Sequence, residues 1–310
     1  MESSRLATTL CGISLRNPVI AASGTFAYGL ECAGLVDLEA LGGFVVKGLS
    51  REPMAGNAPP RIWESAGGMI NSIGLQNIGV CGFIEQKLPA LRRLRTAVFA
   101  NVFGYAPEDY TGVVQLLEDA GGLAGYELNV SCPNTKQGGI FFSSDPALLA
   151  GLVRQVRPLT RRPLIVKLSP NVARIEPLAR AAEDGGADAV SLVNTFVSLA
   201  VDARSRRPRL GAGFGGLSGP AIKPIALRFV YEAAHAVKIP VIGMGGIAKG
   251  EDAAEFLIAG ASAVQVGTAN FWDPASPLRI ARELDQFLGE QGITNVRELV
   301  GTLRMGEPGT

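Results

Sequence analysis

Histidine is almost absent from these 310 residues: the chain has one, His235. A Ser-His-Asp triad would have to rest on that residue, and a poly-histidine metal site cannot be built. Its setting, an amphipathic helical pattern from Ala221 to Val237, reads as a helix-surface or half-buried position. Cysteine is nearly as rare. The four, at positions 11, 32, 81 and 132, form no C-x-x-C pair, so they give no zinc or iron–sulfur signature and read as free thiols. No metal site is expected. An excess of one charge is lacking too: 29 basic against 28 acidic residues leave a formal +1, which offers nothing to nucleic acid or an anionic membrane. No uninterrupted apolar run reaches the about 20 residues that a bilayer span needs. Met1 to Leu10 lacks the basic segment and apolar core of a signal peptide. The expectation is a soluble cytoplasmic protein that works on small molecules.

What the chain does have is apolar residues, 47% of the total, and 39 glycines and 19 prolines spread along its length, as many short βα connections require. Strand-like apolar runs recur eight times: Val19 to Ala22, Phe44 to Lys47, Ala97 to Val102, Tyr126 to Val130, Leu164 to Leu168, Ala189 to Val193, Val241 to Gly243 and Ala263 to Val266. Helical patterns separate most of them, at Pro107 to Ala120, Pro146 to Val156, Ile175 to Asp184, Gly219 to Val237 and Glu251 to Ile258. Continuously apolar strands alternating with helices predict a parallel sheet covered by helices, and eight such units predict an α/β fold of the (β/α)₈ TIM barrel type. An open doubly wound sheet is the runner-up. Residues 1–310 read as a single domain. Two stretches, Glu52 to Gly79 and Leu199 to Gly216, do not fit simple βα units. Both follow strands, so both are expected as excursions over the carboxyl-terminal mouth of the barrel.

Chemistry collects at the strand ends. Gly243-Met244-Gly245-Gly246 and Gly267-Thr268 close two consecutive strands, where backbone N–H groups can approach an anion and a following helix adds its positive end; a phosphate fits. The literal G-x-G-x-x-G at Gly211, Gly213 and Gly216 is a decoy, since Arg206-Arg207-Pro208-Arg209-Leu210 before it is no buried strand; it reads as a flexible loop. Lys47 and Lys167 end apolar strands, where burying a cation is costly unless an anion meets it, so both are expected to serve a ligand. Asn71, Asn101, Asn129, Asn134 and Asn194 crowd the same end, and amides can read a heterocycle that alternates C=O and N–H groups. Asn129-Val130-Ser131-Cys132-Pro133-Asn134 places a cysteine and two amides at one strand end, either as a plain turn or as a catalytic loop.

These residues resemble the dihydroorotate dehydrogenases of class 1, and within them the class 1B catalytic subunit. The likeness runs from Asn17-Pro18 to about Phe271. It passes through Val46-Lys47-Gly48, Asn71-Ser72-Ile73-Gly74-Leu75-Gln76-Asn77, Asn129 to Asn134, Val166-Lys167-Leu168-Ser169-Pro170, Asn194-Thr195, Gly216 to Pro224 and Gly245-Gly246. Thr135-Lys136-Gln137-Gly138-Gly139 looks like the 1B loop more than the 1A loop. The resemblance implies a barrel that holds FMN and oxidises (S)-dihydroorotate to orotate in de novo pyrimidine biosynthesis. Cys132 would be the general base that removes the C5 proton while hydride leaves C6 for flavin N5. Lys47, Asn71, Ser72, Ile73, Gly74, Leu75, Asn129, Asn134, Asn194 and Thr195 would hold the substrate. Ser23, Lys47, Gly48, Asn101, Asn129, Lys167, Val193, Gly219, Gly245, Gly246, Gly267 and Thr268 would hold FMN. It further implies an electron-transfer subunit carrying FAD and a 2Fe–2S cluster that passes electrons to NAD, in a heterotetramer of two plus two. Two alternatives are an FMN enzyme like dihydropyrimidine dehydrogenase, and a non-redox phosphate-binding barrel lyase with Lys167 as Schiff base.

Overall fold

The computed structural model describes residues 4–131 and 142–306. The chain opens with a hairpin, β1 (Thr8–Leu10) and β2 (Ile13–Leu15), whose two-residue turn holds Cys11 at φ 49° and Gly12 at φ 81°. Two successive positive φ angles give the mirror-image turn that suits strand twist, and glycine takes the second at no steric cost. Strands β3 (Val19–Ala21) and β4 (Gly43–Leu49) follow, and the first excursion then carries β5 (Ile62–Ser65) and β6 (Gly68–Asn71). After helices α1 (Gly79–Gln86) and α2 (Leu88–Leu91) come β7 (Ala97–Val102), α3 (Pro107–Ala120), β8 (Gly125–Asn129), α4 (Pro146–Val156), β9 (Leu164–Lys167), α5 (Glu176–Asp184) and β10 (Ala189–Leu192). The second excursion holds β11 (Phe196–Leu199), β12 (Val201–Asp202), β13 (Arg207–Pro208) and β14 (Phe214–Ser218). Helix α6 (Lys223–Ala236), β15 (Val241–Met244), α7 (Gly250–Ile258), β16 (Ala263–Val266), α8 (Ala269–Trp272) and α9 (Ser276–Glu290) complete the order.

Strands β3, β4, β7, β8, β9, β10, β15 and β16 pair in parallel in that order, and β16 pairs back onto β3, so the barrel is closed. All eight predicted strands are present, and the doubly wound alternative falls. Helix starts follow from local chemistry: Asp145 accepts from the Ala147 and Leu148 amides to cap α4, and Asp252 accepts from Ala248 N and Lys249 N ahead of α7. Along each strand, residues alternate between the helix-facing core (Val46, Ala100, Leu128, Val166) and the barrel interior. The lower interior is filled by Ile20, Val45, Phe99, Ile165, Ala189, Ile242 and Ala263, with Leu10 and Leu15 of the hairpin closing it from below.

The two excursions are one structure. They pair as a four-stranded antiparallel sheet in the order β11-β14-β6-β5, with Gly216 opposite Asn71 and Phe196 opposite Leu217. Gly211 and Gly213 lie in the turn ahead of β14, as expected, but the loop reading is corrected at Gly216: it is a central ladder residue, and a Cβ there would run into the Thr195 side chain. A strand interior takes glycine where another group approaches this closely. The predicted helix from Gly219 is also shorter. Gly219 stands outside it at φ 99°, Pro220–Ile222 make a 3-10 turn, and α6 begins at Lys223.

Candidate active site

One level above the apolar plug, the interior positions of the same strands become polar. Lys47, Asn101, Glu127, Lys167, Ser191 and Gln265 stand two residues beyond Val45, Phe99, Gly125, Ile165, Ala189 and Ala263, which is the spacing that keeps a side chain on one face of a strand. Glu127 is fully buried and is the centre of this layer. Its oxygens accept from Asn101 Nδ2 at 2.8 Å, Ser191 Oγ at 2.9 Å and Gln265 Nε2 at 2.7 Å, and Lys167 Nζ lies 3.8 Å away. Lys167, read from sequence as a cation awaiting a ligand, therefore has an anion within the chain. The sequence reading missed Glu127, although an acid inside the apolar run Tyr126 to Val130 was the signal.

Lys47 is different. The register of β4 against β7 shifts between Val46 and Leu49, and this irregularity carries Lys47 and Gly48. Gly48 packs against Asn101, since a Cβ would stand 2.8 Å from Asn101 Oδ1. Among the described residues no carboxylate lies in ion-pair range of Lys47. Burial and then the nearby Arg61 charge hold its ammonium below the ordinary value of 10.5. A half-buried cation of this kind is relieved by an anionic ligand.

The predicted substrate residues approach from three directions. Asn129 ends β8, and its Oδ1 accepts from Ser131 N and Asn194 Nδ2, both at 3.2 Å. Tyr110 of α3 donates to the Asn129 carbonyl at 2.9 Å, which fixes the strand end. Asn194 Oδ1 accepts from Thr195 N, and Thr195 packs on Gly216, whose carbonyl accepts from Asn71 Nδ2 at 3.3 Å. Joining the excursions thus brings Asn71, Asn129, Asn194 and Thr195 into one connected rim. Ser72, Ile73, Gly74 and Leu75 continue from β6, with Gly74 at φ 73° and Leu75 at φ 57°, and the buried Ser72 Oγ has no partner among the described residues. Cys132 and Asn134 lie outside the described residues.

The glycine loops form a cradle. Gly246 takes φ 77°, and a Cβ there would stand 2.8 Å from Lys223 Cβ and 2.9 Å from the Gly219 carbonyl. A Cβ on Gly219 would in turn come within 3.6 Å of Thr268 Cγ2, so the segments at Gly219, Gly245-Gly246 and Gly267-Thr268 touch. Among the described residues, no group accepts from the amides of Gly246, Gly267 and Thr268. Side-chain-free backbone with unspent N–H groups suits a phosphate. Val193 lines the same corner, with Cγ2 3.3 Å from the place of a Gly245 Cβ, and half-buried Ser23 follows β3 on the other side. The residues described fit a phosphorylated planar cofactor: a cradle for the phosphate, a polar floor and an amide rim. His235 is exposed on α6, its ring against Tyr231, and belongs to none of this. No described group of three His, Cys, Asp or Glu residues could hold a metal ion. No helix of the described residues is long and apolar enough to cross a membrane.

Comparison with known proteins gives the same direction. Residues 5–288 match the family described as dihydroorotate dehydrogenase. A protein of Solibacter usitatus (strain Ellin6076), provisionally named dihydroorotate dehydrogenase A (fumarate), is 73% identical over 97% of this chain and 99% of its own. The protein of Geobacter sp. (strain M21) named dihydroorotate dehydrogenase B (NAD(+)), catalytic subunit, is 52% identical over 98% of this chain and 100% of its own. Its namesake in Geobacter sulfurreducens (strain ATCC 51573 / DSM 12127 / PCA) is likewise 52% identical over 98% and 100%.

Proposed function

Since the chain belongs to the dihydroorotate dehydrogenase family, we propose that it is a catalytic subunit of the NAD-linked type, oxidising (S)-dihydroorotate to orotate in pyrimidine synthesis. One observation carries the site assignment: the glycine cradle, the layer of Lys47, Asn101 and Lys167, and the rim of Asn71, Asn129, Asn194 and Thr195 all belong to the carboxyl-terminal mouth of one barrel. FMN, when bound there, supplies the acceptor for the hydride that leaves C6. Gly219, Gly245, Gly246, Gly267 and Thr268 hold its phosphate, with Ser23, Lys47, Gly48, Asn101, Asn129, Lys167 and Val193 around the rest. Lys47 meets the substrate carboxylate, which accounts for a half-buried cation with no carboxylate in range among the described residues. Asn71, Asn129, Asn194 and Thr195, with Asn134 and the Ser72 to Leu75 segment, read the pyrimidine edges and fix the ring against the flavin. Cys132 removes the C5 proton as general base, a task for which no histidine is at hand. Electrons leave through a partner subunit that carries FAD and a 2Fe–2S cluster, in an assembly of two plus two, and reach NAD. Residues 1–310 work as one FMN-binding domain, in the cytoplasm.

A second reading is supported by the name of the Solibacter relative: fumarate as direct acceptor, without a partner. Assaying dihydroorotate oxidation by the purified chain with NAD, fumarate and an artificial dye separates the two. Dye activity without NAD activity is expected, and efficient fumarate reduction would replace the NAD reading. Cys132→Ala should retain FMN and slow flavin reduction by dihydroorotate at least ~10²-fold; near-normal reduction would remove Cys132 from the base role.

A further inference from the structure

The Glu127 cluster is larger than the assigned cofactor contacts explain. Five strands contribute to it: Asn101 from β7, Glu127 from β8, Lys167 from β9, Ser191 from β10 and Gln265 from β16. Only Asn101 and Lys167 belong to the set assigned to the flavin; Glu127, Ser191 and Gln265 have no assigned part. A fully buried acid is costly unless paired, and a buried ion pair is often no more stable than apolar residues of the same volume. The layer just below shows that this barrel fills such space with Val, Phe and Ile. Gln265 commits Nε2 to Glu127, while its buried Oε1 finds no partner among the described residues. The network is thus organised around the acid and does not satisfy all of its own members.

We propose that Glu127 is a positioning residue for the flavin reaction, holding the Lys167 ammonium and the Asn101 amide in place and offsetting the Lys167 charge in the floor of the site. This rests on the FMN reading above. Without the carboxylate, Lys167 would present an uncompensated positive charge at the floor of the site, and reduced flavin, which carries more negative charge than oxidised flavin, would be favoured. Ser191 and Gln265, in the same layer, act through Glu127, to which each donates a hydrogen bond.

The test is the flavin midpoint potential of purified holoenzyme, titrated against a reference dye, for wild type, E127Q, E127D, K167M and the double variant E127Q/K167M. Flavin content and dihydroorotate reduction of the wild type come first: their failure would sink the FMN reading and leave the charge argument aside. The expected result is a potential shifted positive in E127Q, negative in K167M, and returned toward wild type in the double variant. An E127Q potential equal to wild type, or an E127Q shift that persists undiminished without Lys167, would overturn the proposal. Should E127Q not fold, E127D keeps the charge but draws it one methylene away from Lys167. A smaller positive shift is then expected, against no shift in Q265M, which removes a neutral donor; equal potentials in E127D and wild type would overturn it as well.

Discussion

The lower and upper levels of the barrel interior are built by the same strands with the same alternation, yet they have opposite character. Below, Ile20, Val45, Phe99, Ile165, Ala189, Ile242 and Ala263 interlock without a polar atom beyond the backbone. One pleat higher, Lys47, Asn101, Glu127, Lys167, Ser191 and Gln265 fill equivalent positions with charge and amide. The difference teaches that stability and chemistry are separated along the barrel axis. Apolar burial holds the strands together at the closed end, which frees the open end to carry groups that are costly to bury.

The comparison can be broken first at the lower level. Phe99→Ala should cost about 3–5 kcal/mol of unfolding free energy, read by denaturant titration, because the plug cannot collapse around the lost ring. FMN affinity of the fraction that remains folded should change little; a large selective loss of affinity would show the two levels to be coupled. At the upper level Lys47→Met should do the reverse. It should raise the stability of the cofactor-free protein by up to about 1 kcal/mol, by removing a half-buried cation whose charge is relieved only by ligand, while the KM for dihydroorotate rises steeply. A loss of stability would mean that Lys47 is structural.

The smallest effect sharpens the same contrast through pH. Burial, followed by the Arg61 charge, lowers the Lys47 pKa from its ordinary 10.5. Between the lowered folded value and 10.5 the unfolded chain binds more protons than the folded chain, so this group's contribution to stability rises with pH through that window. Thermal unfolding of the cofactor-free protein should show this rise, Lys47→Met should lack it, and orotate should flatten it by favouring the charged lysine. No change of slope with orotate would argue against a carboxylate at Lys47.

Much of the fold was legible because its signals are local. An apolar run bounded by glycine or proline names a strand wherever it occurs, and all eight were found to within about two residues, Ala97–Val102 and Ala263–Val266 without error. The loop pairing was not legible. Nothing in Arg61 to Glu64 or Gly211 to Gly216 alone says that Gly216 will lie opposite Asn71, since antiparallel partners 145 residues apart are selected only after the barrel has placed both segments over its mouth. The same limit hid Glu127. Its strand was recognised, but the worth of its carboxyl depends on donors from four other strands.

The sequence by itself determined the barrel, the strand-end residues and, through its near lack of histidine, the narrow choice of chemistries, because periodicity, turn residues and composition act over a few neighbours. Only the tertiary structure decided that, among the described residues, Lys167 has a carboxylate beside it and Lys47 has none. Closure of the barrel sets one beside Glu127 and leaves the other facing the place proposed for the substrate, and electrostatic partnership follows from distance across the barrel, which no local pattern encodes.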